Sequence, residues 1–241
     1  MFDNYSSMTE AELVELYATL AADGRSRWQR FYVDRARPCP FFAGAPDENL
    51  YQWVQEGRVV RGTALDLGCG NGRNAIFLAK HGFTVHAIDY SESAVAWARE
   101  EVSNANVRVS IDCSSVFELQ LEPESCDLIY DSGCFHHIAP HRRHQYVRLI
   151  ASALKPGGAL GLVCFAPEGG SGLSDDEVYT HNSLGGGLGY DELRLREIWG
   201  ELFHIASLQR MHEQSVGSQL FGKSYLWALL ARKRAPERNH G

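Results

Sequence analysis

The segment Ala64-Leu65-Asp66-Leu67-Gly68-Cys69-Gly70-Asn71-Gly72-Arg73-Asn74 decides the fold. Its first four residues read as a buried strand, the alternate glycines as a sharp turn, and Arg73 and Asn74 as the start of a helix. Glycines let the chain leave a strand abruptly, and without a Cβ they let a ligand lie against main-chain N–H groups at the helix N-terminus. A second strand follows and ends in Asp89, seventeen residues beyond Gly72. A carboxylate there can accept hydrogen bonds from ribose hydroxyls, so the pattern reads as a site for a nucleotide-type cofactor.

The spacing separates two classes of cofactor. Dinucleotide turns usually read G-x-G-x-x-G, the third glycine permitting close helix–strand packing around a pyrophosphate. Here Gly68, Gly70 and Gly72 give G-x-G-x-G, followed by Arg73. Asp66, two positions before the first glycine, is unsuited to a pyrophosphate but suits the cationic end of S-adenosylmethionine. A nicotinamide oxidoreductase is disfavoured on both counts. On these residues, the chain from about Gly62 to Phe165 resembles the class I S-adenosylmethionine-dependent methyltransferases, whose first motif looks like Leu65-Asp66-Leu67-Gly68-Cys69-Gly70-Asn71-Gly72.

The resemblance implies S-adenosyl-L-methionine as cofactor and methyl transfer by in-line displacement. It also implies residue roles: Asp66 near the donor's amino end; the glycine turn Gly68, Cys69, Gly70, Asn71 and Gly72 under its methionine moiety; Asp89 on the ribose; and Tyr90 beside the adenine, with Asn74 also among the donor contacts. The third motif is blurred, because Asp112-Cys113-Ser114-Ser115-Val116-Phe117 has no Gly-Asp-Ala pattern. Ser115 and Val116 are taken as the adenine contacts.

Along the chain, short β-branched or apolar runs alternate with amphipathic helices, which indicates a parallel sheet covered on both faces. The expected fold is a doubly wound, Rossmann-like α/β sheet of seven mostly parallel strands. They are read near Thr63 to Leu67, Thr84 to Asp89, Val107 to Ile111, Leu128 to Asp131, Leu160 to Phe165, Phe203 to Leu208 and Ser224 to Ala231, and the resemblance makes the last antiparallel. Helices are expected over Asn74 to His81, Ser93 to Ser103, His141 to Leu154 and Asp191 to Leu202. Lys155-Pro156-Gly157-Gly158 reads as the stop of the third.

Residues 1–60 have their own character and are expected to form a helical cap ahead of a methyltransferase domain at 61–241. Thr9-Glu10-Ala11-Glu12 is a capping box for a helix to about Ala22. The stretch from Arg25 to Arg37 then interleaves five arginines with Trp28, Phe31 and Tyr32. Either this segment lines the site, favouring an anionic or aromatic acceptor, or its aromatics dock on the core beneath a solvated basic face.

Tyr130-Asp131-Ser132-Gly133-Cys134-Phe135-His136-His137-Ile138 follows the fourth strand, at the carboxyl edge where ligands of such sheets bind. In the resembled family the donor meets its acceptor here. His136, His137 and Asp131 are the catalytic candidates, with Asp131 also counted among the donor contacts. A histidine can remove a proton from an oxygen or nitrogen acceptor, or it can simply pack. Trp28, Phe31, Tyr32 and Arg143 are the candidate acceptor contacts. His136, His137, His141 and His144 lack an HExxH pattern or a CxxC partner, so no metal is expected.

Composition fits one globular enzyme. The 241 residues are 44% hydrophobic and carry a net charge of −7, which gives no overall field attracting nucleic acid or an anionic membrane. No apolar run approaches the roughly 20 residues of a spanning helix, and the six cysteines are scattered, so reduced thiols and a cytoplasmic setting are expected. The glycine-rich stretches 167–172 and 183–190 read as a mobile lid or as a plain connection. A small-molecule acceptor (oxygen, nitrogen, sulfur or a metalloid) is expected, in the branch that includes tellurite-resistance and thiopurine-type enzymes. The alternatives are an RNA or protein methyltransferase, for which no Asn-Pro-Pro-Tyr-type motif is present, and a non-catalytic binder of S-adenosylmethionine. Oligomeric state is not indicated.

Overall fold

A computed structural model describes residues 24–234, so the helix expected over 9–22 lies outside the described residues. Helix α1 (residues 24–33) and a 3-10 turn (Pro40–Ala43) precede α2 (Glu48–Gln55). There follow β1 (Thr63–Leu67), α3 (Arg73–Lys80), β2 (Thr84–Asp89), α4 (Glu92–Asn104), β3 (Val109–Cys113) and β4 (Cys126–Ser132). The second half comprises α5 (Arg143–Ala153), β5 (Leu154–Phe165), α6 (Asp175–Thr180), α7 (Glu192–Gly200), β6 (Phe203–Arg210) and β7 (Leu226–Lys233). No helix among the described residues is long and apolar enough to cross a membrane.

The seven strands form one sheet in the order β3-β2-β1-β4-β5-β7-β6. All neighbours pair in parallel except β7, which runs antiparallel to both β5 and β6. The order reverses between β1 and β4, which opens a crevice at their carboxyl ends. Period-two alternation splits the core in two. Leu65, Leu67, Ile129 and Leu160 pack toward Tyr146 and Ile150 of α5 and Trp199 of α7, whereas Ala64, Val85, Leu128 and Tyr130 face Trp53 of α2, Leu78 of α3 and Val95 of α4.

Two departures from the sequence reading have local causes. β3 starts two residues later than expected, because Val107 still closes the α4 C-terminus through Val107 N–H to Val102 O (3.3 Å). Lys155-Pro156-Gly157-Gly158 does end α5, but β5 begins directly at Leu154 and those four residues bulge from it. The pairing Cys126–Leu154 is followed by Leu128–Ala159, and Gly157 takes φ +75° within the bulge.

Gly161 shows how tightly the centre is filled. A Cβ there would stand 2.7 Å from the Tyr130 ring and 2.9 Å from the Trp53 ring. Gly161→Ala should therefore destabilise the fold by about 1–3 kcal/mol through overpacking. Urea denaturation measures this, and an unchanged midpoint would contradict the packing described.

Candidate active site

A cavity of about 1040 Å³ lies at the carboxyl edge of β1, β2 and β4. One end is formed by the glycine turn. Gly68, Gly70 and Gly72 all have left-handed φ (+66°, +57° and +80°), and a Cβ on Gly70 would sit 2.5 Å from the Tyr32 hydroxyl oxygen. Asp89 holds the turn from the neighbouring strand, accepting from Gly70 N–H at 3.0 Å through Oδ2 and from Ser91 N–H at 2.9 Å through Oδ1. A carboxylate offers about four acceptor positions, so capacity remains on both oxygens. Burial pushes the Asp89 carboxyl up to about 6 against these hydrogen bonds.

Asp66 is the most telling group. It is buried, and its Oδ2 has no hydrogen-bond partner among the described residues. Burial raises its pKa to about 7, opposed by the Arg73 guanidinium and reinforced by Asp47 and Asp131. The Ala75 N–H also lowers the pKa of this carboxylate, but a buried oxygen without a partner is not held in a protein interior without cost, and Asp66 lines the cavity. A bound ammonium would satisfy it.

Cys69, Asn71, Asn74, Tyr90, Ser115 and Val116 also line the cavity. Asn74 nevertheless spends its amide on Asp47, accepting from Asp47 N–H at 3.0 Å and donating to Asp47 Oδ2 at 3.1 Å. Helix α1 lines the cavity. Trp28, Phe31 and Tyr32 both line the cavity and join a cluster with Phe42, Ala94 and Trp97, so the two readings of this segment coexist. Gln29 ties α1 to the start of α4, accepting from Ser91 Oγ and Ser93 N–H, each at 3.2 Å.

His136 and His137 sit at the other end, on a 3-10 turn (Phe135–His137) just after β4. His136 stacks on Phe165 with centroids 3.8 Å apart, and its Nδ1 accepts from Phe165 N–H at 3.2 Å. The Nδ1 of His137 lies 3.5 Å from Arg27 Nη2, which can only donate. Burial, reinforced by the Arg27 charge, lowers the His136 pKa to about 3, and burial with His136 and Arg27 as neighbours holds His137 well below its ordinary value. Both rings are neutral, with Nδ1 occupied as acceptor, which leaves Nε2–H as a donor. As general bases they are poorly suited.

Two candidates fall away. Asp131 is fully buried and absent from the cavity wall. Strand alternation turns it toward α5, where its oxygens accept from Cys134 N–H (2.7 Å), Phe135 N–H (3.0 Å) and Tyr146 hydroxyl (2.6 Å). It fastens the histidine turn from behind. Arg143 also points elsewhere, pairing with Asp175 at 2.6 Å and covering the Tyr190 ring, while Arg142 and His141 reach the cavity instead.

A buried polar network beneath the cavity was not apparent in the sequence. Asp47 pairs with Arg73 Nη1 at 2.6 Å and accepts from the Tyr130 hydroxyl at 2.6 Å. Arg73 also donates to Ala45 O (2.9 Å) and Ser132 Oγ (3.0 Å). Asp47 stands at the N-cap position of α2. Its side chain makes no capping bond and serves Arg73, Tyr130 and Asn74 instead.

Strand order and glycine turn together define a Rossmann-like methyltransferase fold. Residues 64–158 match the family described as a methyltransferase domain. The chain is 28% identical over 123 residues to 2-heptyl-1-hydroxyquinolin-4(1H)-one methyltransferase of Mycobacteroides abscessus, covering 51% of this chain and 53% of that protein. It is 30% identical over 96 residues to the ubiquinone biosynthesis O-methyltransferase of Coxiella burnetii, covering 40% of each. The match thus spans about half or less of these relatives. The magnesium protoporphyrin IX methyltransferase of Synechocystis PCC 6803, solved with bound S-adenosylmethionine, superimposes with a TM-score of 0.62 at 18% identity, over 90% of this chain and 97% of that one. Over this half of the chain the similarity is to methyltransferases, and the fold is that of S-adenosylmethionine-dependent methyltransferases.

The raised Asp66 carboxyl predicts the pH response of donor binding. Only its ionised form pairs with an ammonium, so affinity for S-adenosylhomocysteine should fall as pH drops below about 7. The decline should approach tenfold per pH unit. Calorimetry between pH 5.5 and 8 reads it, and a flat profile would contradict the role given to Asp66.

Proposed function

We propose that this protein transfers a methyl group from S-adenosylmethionine to an oxygen of a small aromatic acceptor. The carrying observation is the one cavity that joins Asp66, whose Oδ2 has no partner among the described residues, to a wall of Trp28, Phe31, Phe165 and the two histidines. Asp66 would hold the donor's ammonium and Asp89 its ribose, with the glycine turn against the methionine moiety and Tyr90, Ser115 and Val116 around the adenine. When bound, S-adenosylmethionine supplies an electrophilic methyl group on a sulfonium sulfur.

The protein's own contribution is alignment and exclusion of water. Helix α1 lines the cavity, the histidine turn and Phe165 would flank the acceptor, and Asp131 ties that turn to the Tyr146 hydroxyl. The oxygen acceptor rests on the names of the two relatives: one is an O-methyltransferase, and the other's named compound carries an N-hydroxyl. The test is calorimetric binding of S-adenosylhomocysteine, expected in the micromolar range, or about −8 kcal/mol. A screen of phenols, thiols and amines with tritiated donor follows. No binding would overturn the reading, and transfer to amines or thiols alone would overturn the oxygen acceptor.

A further inference from the structure

The acceptor end of the cavity carries an excess of positive charge for which the donor site has no use. Arg27 and Arg30 on α1, and Arg142 beyond the histidine turn, line it and form no ion pair with a carboxylate among the described residues. Glu118 lies at the same end and approaches Arg25 at 3.9 Å. The two imidazoles add directed donors. Each Nδ1 is engaged by an N–H group, so each ring carries its proton on Nε2. The His136 Nε2 points toward Gly133, 4.0 Å from where a Cβ on that glycine would stand, at the turn after β4. Elsewhere in the cavity the titratable and charged neighbours are Cys134 on the same turn, His141, whose pKa is lowered by burial and Arg142, the hydroxyls of Tyr32, Tyr90 and Tyr225, Cys69, Arg25 and Arg73, Glu118, which acts on Arg142, and the carboxylates Asp66 and Asp89 at the donor end.

We infer that the site takes its acceptor as a preformed aromatic oxyanion, held by the Nε2–H groups of His136 and His137 and by Arg27, with no proton removed by the protein. This rests on the methyltransferase reading above and names its substrate class: acidic aromatic hydroxyls such as phenols and N-hydroxy heteroaromatics. Positive charge and directed donors favour the ionised form of an acceptor and lower its pKa on binding. A neutral imidazole whose Nδ1 is occupied gives hydrogen bonds without taking a proton. In the transfer, an oxyanion lone pair forms the O–CH3 bond while the methyl–sulfur bond breaks and its electron pair stays on sulfur. Anion and sulfonium become two neutral products, and no proton moves in that step.

The experiment titrates 7-hydroxycoumarin, whose ionised form absorbs at longer wavelength, bound to the protein saturated with S-adenosylhomocysteine. In wild type the bound pKa should lie at least about one unit below that of the free probe. Arg27→Gln should abolish at least half of that shift, and Arg27→Lys should keep most of it, while calorimetric affinity for S-adenosylhomocysteine stays unchanged in both. With S-adenosylmethionine, the acceptor kcat/KM should follow ionisation of the probe, with no added limb from an enzyme base. The inference is overturned if the probe binds in its neutral form, if Arg27→Gln titrates like wild type, or if the probe fails to bind while S-adenosylhomocysteine binds. Failure of S-adenosylhomocysteine itself to bind would instead overturn the donor reading beneath it.

Discussion

Asp66→Asn should weaken S-adenosylmethionine binding by at least about tenfold, or 1.4 kcal/mol, and at the same time leave the ligand-free protein more stable at pH 8. The carboxylate is buried beside the glycine turn with Oδ2 unpartnered, and its pKa is raised to about 7. Because the folded-state value lies above the ordinary 3.8, the folded protein holds a proton that the unfolded chain releases. Ligand-free stability therefore declines as pH rises between about 4 and 7, and Asp131, also raised to about 7, acts in the same direction. A neutral amide removes the burden of a desolvated charge, and a gain of about 1 kcal/mol above pH 7 is expected. Thermal melts with and without S-adenosylhomocysteine separate the two effects. A variant that is less stable without ligand, yet binds normally, would show Asp66 to be a structural residue.

Arg73→Met should be the most damaging single change to the fold, with a loss of about 3–5 kcal/mol. The guanidinium is 7% exposed and pairs with an Asp47 that is fully buried. Removing it strands that carboxylate among Tyr130, Asn74 and Asn49, and deprives Ala45 O and Ser132 Oγ of their donors. Asp47→Asn keeps one acceptor oxygen and turns an NH2 toward either Arg73 or the donors Tyr130 and Asn74, so it too should destabilise the fold, but by less than Arg73→Met because no buried carboxylate is left stranded. Urea denaturation of both variants reads the difference. A loss below about 1 kcal/mol for Arg73→Met would mean that water replaces the arginine.

The sequence was most legible where backbone conformation constrains residue type. Three left-handed positions in five residues admit little besides glycine, so the turn and its flanking strand and helix were readable directly. Side-chain direction was harder. Leu128-Ile129-Tyr130-Asp131 lies in a parallel strand buried on both faces, where apolar residues occupy both sides and no alternation shows which way Asp131 points. One residue of register separates the cavity from the far core, and that step moved Asp131 from the reacting groups to the scaffold behind them. Arg143 fails for a similar reason: a 3-10 turn over Pro140–Arg142 precedes α5, so the helix starts two residues later than expected and the arginine faces Asp175. The Asp47–Arg73 pair joins residues 26 positions apart, and no local pattern encodes it.

The two ends of the cavity are built from different kinds of material. The donor end is assembled from strand termini and the glycine turn, whose positions are locked by the ladder of the sheet and by Asp89. The other end is lined by the histidine turn, the loop around Asn182–Gly186 and part of α1, none of which contributes a rung to the sheet. On the proposed function, changes in those segments would alter the choice of acceptor while leaving the glycine turn and Asp89 untouched. On that reading, a lineage carrying this architecture would be free to exchange one acceptor for another by surface drift, with the methyl source inherited intact.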